Sequence, residues 1–290
     1  MKYMRRTSRN KLLLVATLLL VIFIVAIANL PKGDGETYVF SEILTRIATS
    51  SKENGEKAPK EEKKLFEYIE VVDSCGPYFE SACLNVRTEP NQVSQAVTKL
   101  RNGVVLKVED VIEQNDETWY RITFEDEWLR YSERVGEDWY VSGAFVKSFL
   151  DEGVKEWQED VDVPPSSKRI IVDRSEQKLY AYERKELFME ESISTGIDLS
   201  PTPRGIFHVY KKTPSRYMQG PIEGISEKYY DLPGVPWNLY FTEQGGVIHG
   251  AYWHDKFGKQ WSSGCVNLPT EKAKQLYMWA DVGTEVLVRD

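Results

Sequence analysis

A mainly β protein, set outside the cytosol behind one apolar N-terminal helix, is predicted by three features of the sequence. Five basic residues (Lys2, Arg5, Arg6, Arg9, Lys11) precede 19 consecutive residues, Leu12 to Leu30, whose only polar members are Thr17 and Asn29. From residue 66 onward, short β-branched and aromatic runs alternate with turn residues, the spacing of short strands. One later segment, beginning at Thr270, carries a convincing helical period.

Composition sets the bounds. The chain has 290 residues, 41% hydrophobic and 28% charged, which suits about two globular domains of roughly 100–200 residues each. Wholesale disorder, collagen-like repetition and a small disulfide-stapled scaffold are excluded. Residues 168–290 carry 16 basic and 16 acidic side chains, and residues 12–167 carry 16 basic against 29 acidic. No long basic stretch exists to neutralise a phosphate backbone, which argues against a nucleic-acid partner.

The segment 1–11 reads as cytoplasmic and 12–30 as a transmembrane helix. At 1.5 Å per residue the run nearly spans a hydrocarbon core about 30 Å thick. The basic cluster before it sends the rest of the chain outside. Ala26-Ile27-Ala28 has the small-x-small form of a cleavage site, so secretion to the cell wall after cleavage near Ala28 is the alternative to a membrane anchor. Outside the cytosol thiols pair readily, and the chain has three: Cys75, Cys83 and Cys265. Cys75 and Cys83 are close in sequence and form a candidate disulfide, which leaves Cys265 as a candidate reactive thiol.

Residues 31–65 are charged and poor in apolar side chains, and read as a solvated linker. Residues 66–150 form a small all-β unit with runs at Leu84–Val86, Val104–Val108, Trp119–Phe124 and Trp139–Val146. A connector follows over 151–167, with a helical turn expected around Val154 to Trp157. From 168 to 290 strands resume at Ile170–Val172, Lys178–Tyr182, Leu187–Thr195, Ile206–Tyr210, Asn238–Thr242 and Gly246–His249. Thr270 is placed to cap the helix, with Ala273, Leu276, Tyr277 and Ala280 on one face. Glu285–Val288 is the last strand.

Chemistry concentrates in Ile248-His249-Gly250-Ala251-Tyr252-Trp253-His254 and, after a gap, Ser262-Ser263-Gly264-Cys265-Val266-Asn267. A thiol becomes a useful nucleophile only as thiolate, which requires a base or a positive neighbour. His249 ends an apolar strand, where its ring can face an opening. Gly264 lets the backbone turn tightly and aim N–H groups at a developing oxyanion. A zinc site from His249, His254 and Cys265 is the competing arrangement, but the histidines are five apart and no fourth ligand stands out. A buried structural cysteine is a third reading, against which the Ser-Ser-Gly approach argues.

Two resemblances follow from these residues. Leu84-Asn85-Val86-Arg87-Thr88-Glu89-Pro90, Leu100 to Val108, Trp119-Tyr120-Arg121-Ile122 and Trp139 to Val146 resemble a bacterial SH3-like domain, a small β-barrel. Glu89 stands where that family usually has Gly, and an insertion spans Phe124 to Gly136. The resemblance implies either binding of cell-wall peptides or a packing role.

Residues 168–289 resemble the L,D-transpeptidase catalytic domain of the YkuD type, a β-sandwich with a small helical part. The resemblance rests on His249, Ser262, Gly264, Cys265, Val266 and Asn267, with Thr202-Pro203-Arg204-Gly205 and Tyr230 to Phe241 in support. The family's second His, directly before Gly-Cys, is Ser263 here.

The resemblance implies a peptidoglycan L,D-transpeptidase. Cys265 would be the nucleophile, His249 its base and the Gly250 carbonyl the group that fixes the imidazole tautomer. Backbone N–H groups of Ser263, Gly264 and Cys265 would form the oxyanion hole. Tyr240, Trp253, His254 and Asn267 would line the substrate. Stem peptides are the implied partners, carbapenem-type compounds the implied inhibitors, and neither metal nor organic cofactor is called for. The alternatives are an L,D-carboxypeptidase or cysteine peptidase on wall peptides, and a non-catalytic wall-binding protein.

Overall fold

The computed structural model describes residues 63–74, 84–124, 129–157, 166–222 and 226–290. The predicted transmembrane run 12–30 and the Cys75–Cys83 pair lie outside them. Among the described residues no helix is long and apolar enough to cross a membrane.

Alternating apolar positions build the first module. Strands β1 (Phe66–Val71), β2 (Leu84–Arg87), β3 (Ala96–Leu100), β4 (Val105–Gln114), β5 (Glu117–Thr123), β6 (Trp139–Ser142) and β7 (Val146–Asp151) form one sheet in the order β3-β2-β6-β5-β4-β1-β7. Asn115 and Asp116 join β4 to β5 with φ of 54° and 60°. These two residue types tolerate the left-handed region that a two-residue hairpin turn needs. Ile69, Val71, Leu84, Val86, Leu106, Ile122, Trp139 and Val141 are buried together inside.

The C-terminal module has two five-stranded sheets. One contains β9 (Lys168–Asp173), β10 (Lys178–Glu183), β11 (Glu186–Ser192), β12 (Gly205–His208) and β17 (Glu285–Arg289), in the order β11-β10-β9-β17-β12. The other contains β8 (Lys155–Glu156), β13 (Lys211–Ile222), β14 (Ser226–Tyr240), β15 (Val247–Gly250) and β16 (Val266–Leu268), in the order β16-β15-β14-β13-β8. Ile170, Val172, Leu179 and Val286 of the first share a core with Leu239, Ile248, Val266 and Leu268 of the second. Helix α1 (Thr270–Trp279) adds Ala273, Leu276 and Tyr277.

Three local expectations are corrected. Lys155–Glu156 is a strand rather than a helical turn, because it pairs with the edge of β13 at Lys211 and Lys212. Thr270 is the first helical residue, not the cap: Pro269 occupies the cap position without a side-chain hydrogen bond. The β13–β14 hairpin reaches far beyond Asn238–Thr242, because its prolines fit a ladder whose register shifts between Arg216 and Met218 and between Gly220 and Ile222.

The two modules share their cores. Tyr68 and Val105 of the first module are buried in the core of the C-terminal module, and Tyr217 of β13 is buried in the core of the first. Phe149 stands 5.6 Å from Tyr68 and 5.3 Å from Trp237, ring centre to ring centre. Lys274 of α1 pairs with the buried Glu70. Gly234 has φ +62°, and a Cβ there would run into the Val105 carbonyl, so the hairpin meets the barrel at a backbone contact only glycine permits. Residues 63–290 form one compact unit.

Candidate active site

Strand alternation and one parallel pairing assemble the site. β15 and β16 run parallel with His249 opposite Asn267, flanked by Ile248 opposite Val266 and Gly250 opposite Leu268. Ile248, Val266 and Leu268 go to the core. The period of two then sends His249, Asn267 and Cys265 to the other face. That face is the floor of a cavity of about 590 Å³ whose lining includes His249, Trp253, Trp261, Ser263, Cys265 and Asn267.

The hydrogen bonds around His249 fix its protonation. Nδ1 lies 3.0 Å from the Gly250 carbonyl, which can only accept, so Nδ1 carries the proton and Nε2 the lone pair. Nε2 is 3.1 Å from the Asn267 side-chain nitrogen, which donates to it. Asn267 Oδ1 is 3.0 Å from His254 Nε2, and His254 Nδ1 accepts the Lys256 backbone N–H at 3.1 Å. A backbone carbonyl at one end and a backbone N–H at the other thus determine both tautomers and the orientation of the amide between them.

His249 is 1% exposed, and its burial lowers its pKa to about 4, against a smaller upward pull from the Gly250 carbonyl. Burial also lowers the pKa of His254. The Cys265 side chain is half-buried, and desolvation raises its thiol pKa; Arg216 and the Val247 N–H pull the other way. At neutral pH the resting site therefore holds a neutral imidazole and a neutral thiol, not an ion pair.

The turn ahead of Cys265 is held by its carbonyls. Gly264 has φ +107°, which favours glycine. Thr202 Oγ1 donates to the Gly264 carbonyl at 2.9 Å and itself accepts the Gly196 N–H at 2.9 Å. The Cys265 carbonyl accepts from Ser262 Oγ at 2.5 Å. Across a trans peptide N–H and C=O point oppositely, so Thr202 aims the Cys265 N–H away from itself. Among the described residues, no hydrogen bond engages the N–H of Ser263, Gly264 or Cys265.

Of the expected substrate residues, Trp253 and Asn267 line the cavity. His254 reaches it only through Asn267. Tyr240 is 3% exposed and lies outside the lining, with Arg216 over its ring at 5.5 Å. Sequence reasoning missed Thr202 as a brace and missed Arg130, Arg216 and Lys228 in the cavity wall. The Thr202-Pro203 turn was visible, but its contact with Gly264, 62 residues away, is a product of the fold.

A sulfur and a neutral imidazole opening on one cavity, beside unengaged backbone N–H groups, are the equipment of thiol-dependent acyl transfer. The family model of the YkuD L,D-transpeptidase catalytic domain matches residues 167–288, and that of the bacterial SH3 domain matches residues 83–147. The chain carries an L,D-transpeptidase catalytic domain preceded by a bacterial SH3 domain. No curated protein matches the chain.

Similar solved structures include an L,D-transpeptidase from Mycobacterium smegmatis, 19% identical over 60% of this chain and 91% of its own, with a TM-score of 0.41. L,D-transpeptidase 3 from Mycobacterium tuberculosis is 17% identical over 60% of this chain and 92% of its own, with a TM-score of 0.41. The catalytic domain of an E. faecium L,D-transpeptidase acylated by ertapenem is 26% identical over 44% of this chain and all of its own, with a TM-score of 0.38.

Proposed function

We propose that this L,D-transpeptidase cross-links peptidoglycan outside the cytosol through a thioester on Cys265, with Leu12–Leu30 as its membrane anchor. The observation that carries the reading is the shared cavity of Cys265 and the lone-pair nitrogen of His249. Cys265 Sγ attacks the carbonyl carbon of the third residue of a donor stem tetrapeptide, and its proton passes to His249 Nε2. The N–H groups of Ser263, Gly264 and Cys265 hold the oxyanion. The C–N bond to the terminal D-alanine breaks, and His249 returns the proton to the departing amine. An acceptor amine then attacks the thioester, gives its proton to His249, and the sulfur leaves and recovers it.

Because thiol and imidazole are both neutral at rest, ionisation and attack are coupled. Proton transfer also requires the Asn267 amide to release Nε2. The Gly250 carbonyl stays bonded to Nδ1–H throughout and supports the imidazolium as it forms. Loss of the family's second His at Ser263 leaves this route intact, since the base is His249. Carbapenem-type compounds acylate Cys265 by the same attack on a strained carbonyl.

The test is incubation with a disaccharide tetrapeptide, with and without an acceptor stem. D-alanine release with dimer formation is expected. Release without dimers at any acceptor concentration would make the enzyme an L,D-carboxypeptidase, and no release would favour a wall-binding role.

A further inference from the structure

Tyr131 and Arg134, in the insertion of the SH3-like module, fasten it to the outer end of the β13–β14 hairpin, the strand pair that walls the cavity. The Tyr131 N–H donates to Gln219 Oε1 at 2.9 Å, and the Tyr131 carbonyl accepts from Gln219 Nε2 at 3.1 Å. The Tyr131 hydroxyl donates to the Pro221 carbonyl at 2.9 Å. Arg134 donates to the Gly220 carbonyl at 3.0 Å, its guanidinium over the rings of Tyr131 at 3.9 Å and Tyr229 at 4.6 Å. Arg130 directly precedes the residue so held, and it lines the same cavity as Cys265.

The charge around that cavity runs against the rest of the chain. Among the described residues, Arg130, Arg216 and Lys228 line it against Glu243, in a protein of net charge −8. Tyr230 lines the same cavity as Arg130, Arg216 and Cys265. Clamping the neighbouring residue lowers the entropy Arg130 loses when it grips a ligand.

We infer that the SH3-like module completes the donor site and that Arg130 binds a carboxylate of the stem peptide. The inference rests on the transpeptidase reading and names what that site selects: a donor with a free carboxylate over its carboxamide.

The experiment compares kcat/KM for release of the terminal residue from three tetrapeptides: one with free side-chain and terminal carboxylates, one amidated at the side chain, and one amidated at the terminus. The unaltered enzyme is expected to prefer the free carboxylate at one of the two positions, which identifies its source. That preference should fall about fivefold in Arg130→Ala, be kept in Arg130→Lys and invert in Arg130→Glu. Arg130 is exposed, so these variants fold. An equal preference in the parent, Arg130→Ala and Arg130→Glu would overturn the inference while leaving the transpeptidase reading standing. So would a parent enzyme indifferent to amidation at both positions. No release by the parent from any of the three would remove the transpeptidase reading, and the inference with it.

Discussion

Asn267→Asp exchanges one amide NH2 for a carboxylate oxygen at nearly unchanged shape, in contact with the lone pair of the proposed base. In the parent, Asn267 donates to His249 Nε2 at 3.1 Å, and burial holds that imidazole neutral down to about pH 4. A carboxylate at that distance stabilises the imidazolium and raises a His pKa by about 1–3 units. The acid limb of kcat/KM should therefore move from about pH 4 to about 5–7. The assay is the pH dependence of acylation by a carbapenem under kcat/KM conditions, which reports groups of the free enzyme.

Stability should follow the same imidazole. Its folded pKa of about 4 lies below the ordinary 6.5, so the unfolded chain binds more protons in that interval. The His249 contribution is complete above pH 6.5 and is lost as pH falls through 4, on the order of 3 kcal/mol in all. Asn267→Asp should reduce that loss. An acid limb at the parental position in the variant would refute the reasoning, because it would mean that Asn267 does not face the base or that His249 is not the base.

Thr202→Val keeps the shape of a fully buried side chain but strands the Gly196 N–H and the Gly264 carbonyl. A loss of about 2 kcal/mol, or about 4–8 °C in Tm, is expected with slower acylation, and a parental Tm and rate would contradict the bracing role. Alkylation of Cys265 by a neutral reagent should rise with pH to a midpoint above 9.0, as burial of the thiol requires. A plateau reached below neutral pH would instead show a resting thiolate–imidazolium pair. Gly234→Ala forces a side chain into the left-handed region and against Val105, so thermal unfolding should come earlier by the equivalent of about 2 kcal/mol or more; an unshifted transition would mean that the hairpin and the barrel are not held together there.

The parts of the fold that were legible in the sequence depend on local periodicity. Ile248, His249 and Gly250 announced a strand ending at an opening, and Ser262 to Gly264 announced a tight turn before Cys265; the short strand β16 that follows was not expected. Alternation alone then sends Cys265 and Asn267 to one side. The helical spacing of Ala273, Leu276 and Tyr277 was equally plain, and all three are buried.

What escaped depends on contacts between distant segments. The link from Asn267 to His254 needs the parallel register of β15 and β16, and nothing within either segment encodes it. No strand was expected over 211–237; Pro214, Pro221, Pro233 and Pro236 lie in the hairpin, whose ladder absorbs them through register shifts. The insertion 124–136 looked like extra loop. Its role emerges only when Tyr131 and Gln219, 88 residues apart, meet.

Intact-protein mass spectrometry after exposure to ertapenem tests most directly whether the sulfur of Cys265 is the acyl acceptor. One covalent adduct on the parent, none on Cys265→Ala, and a slowed adduct on His249→Ala are the predicted results. An adduct that survives in Cys265→Ala, or an active parent that forms none, would contradict the mechanism.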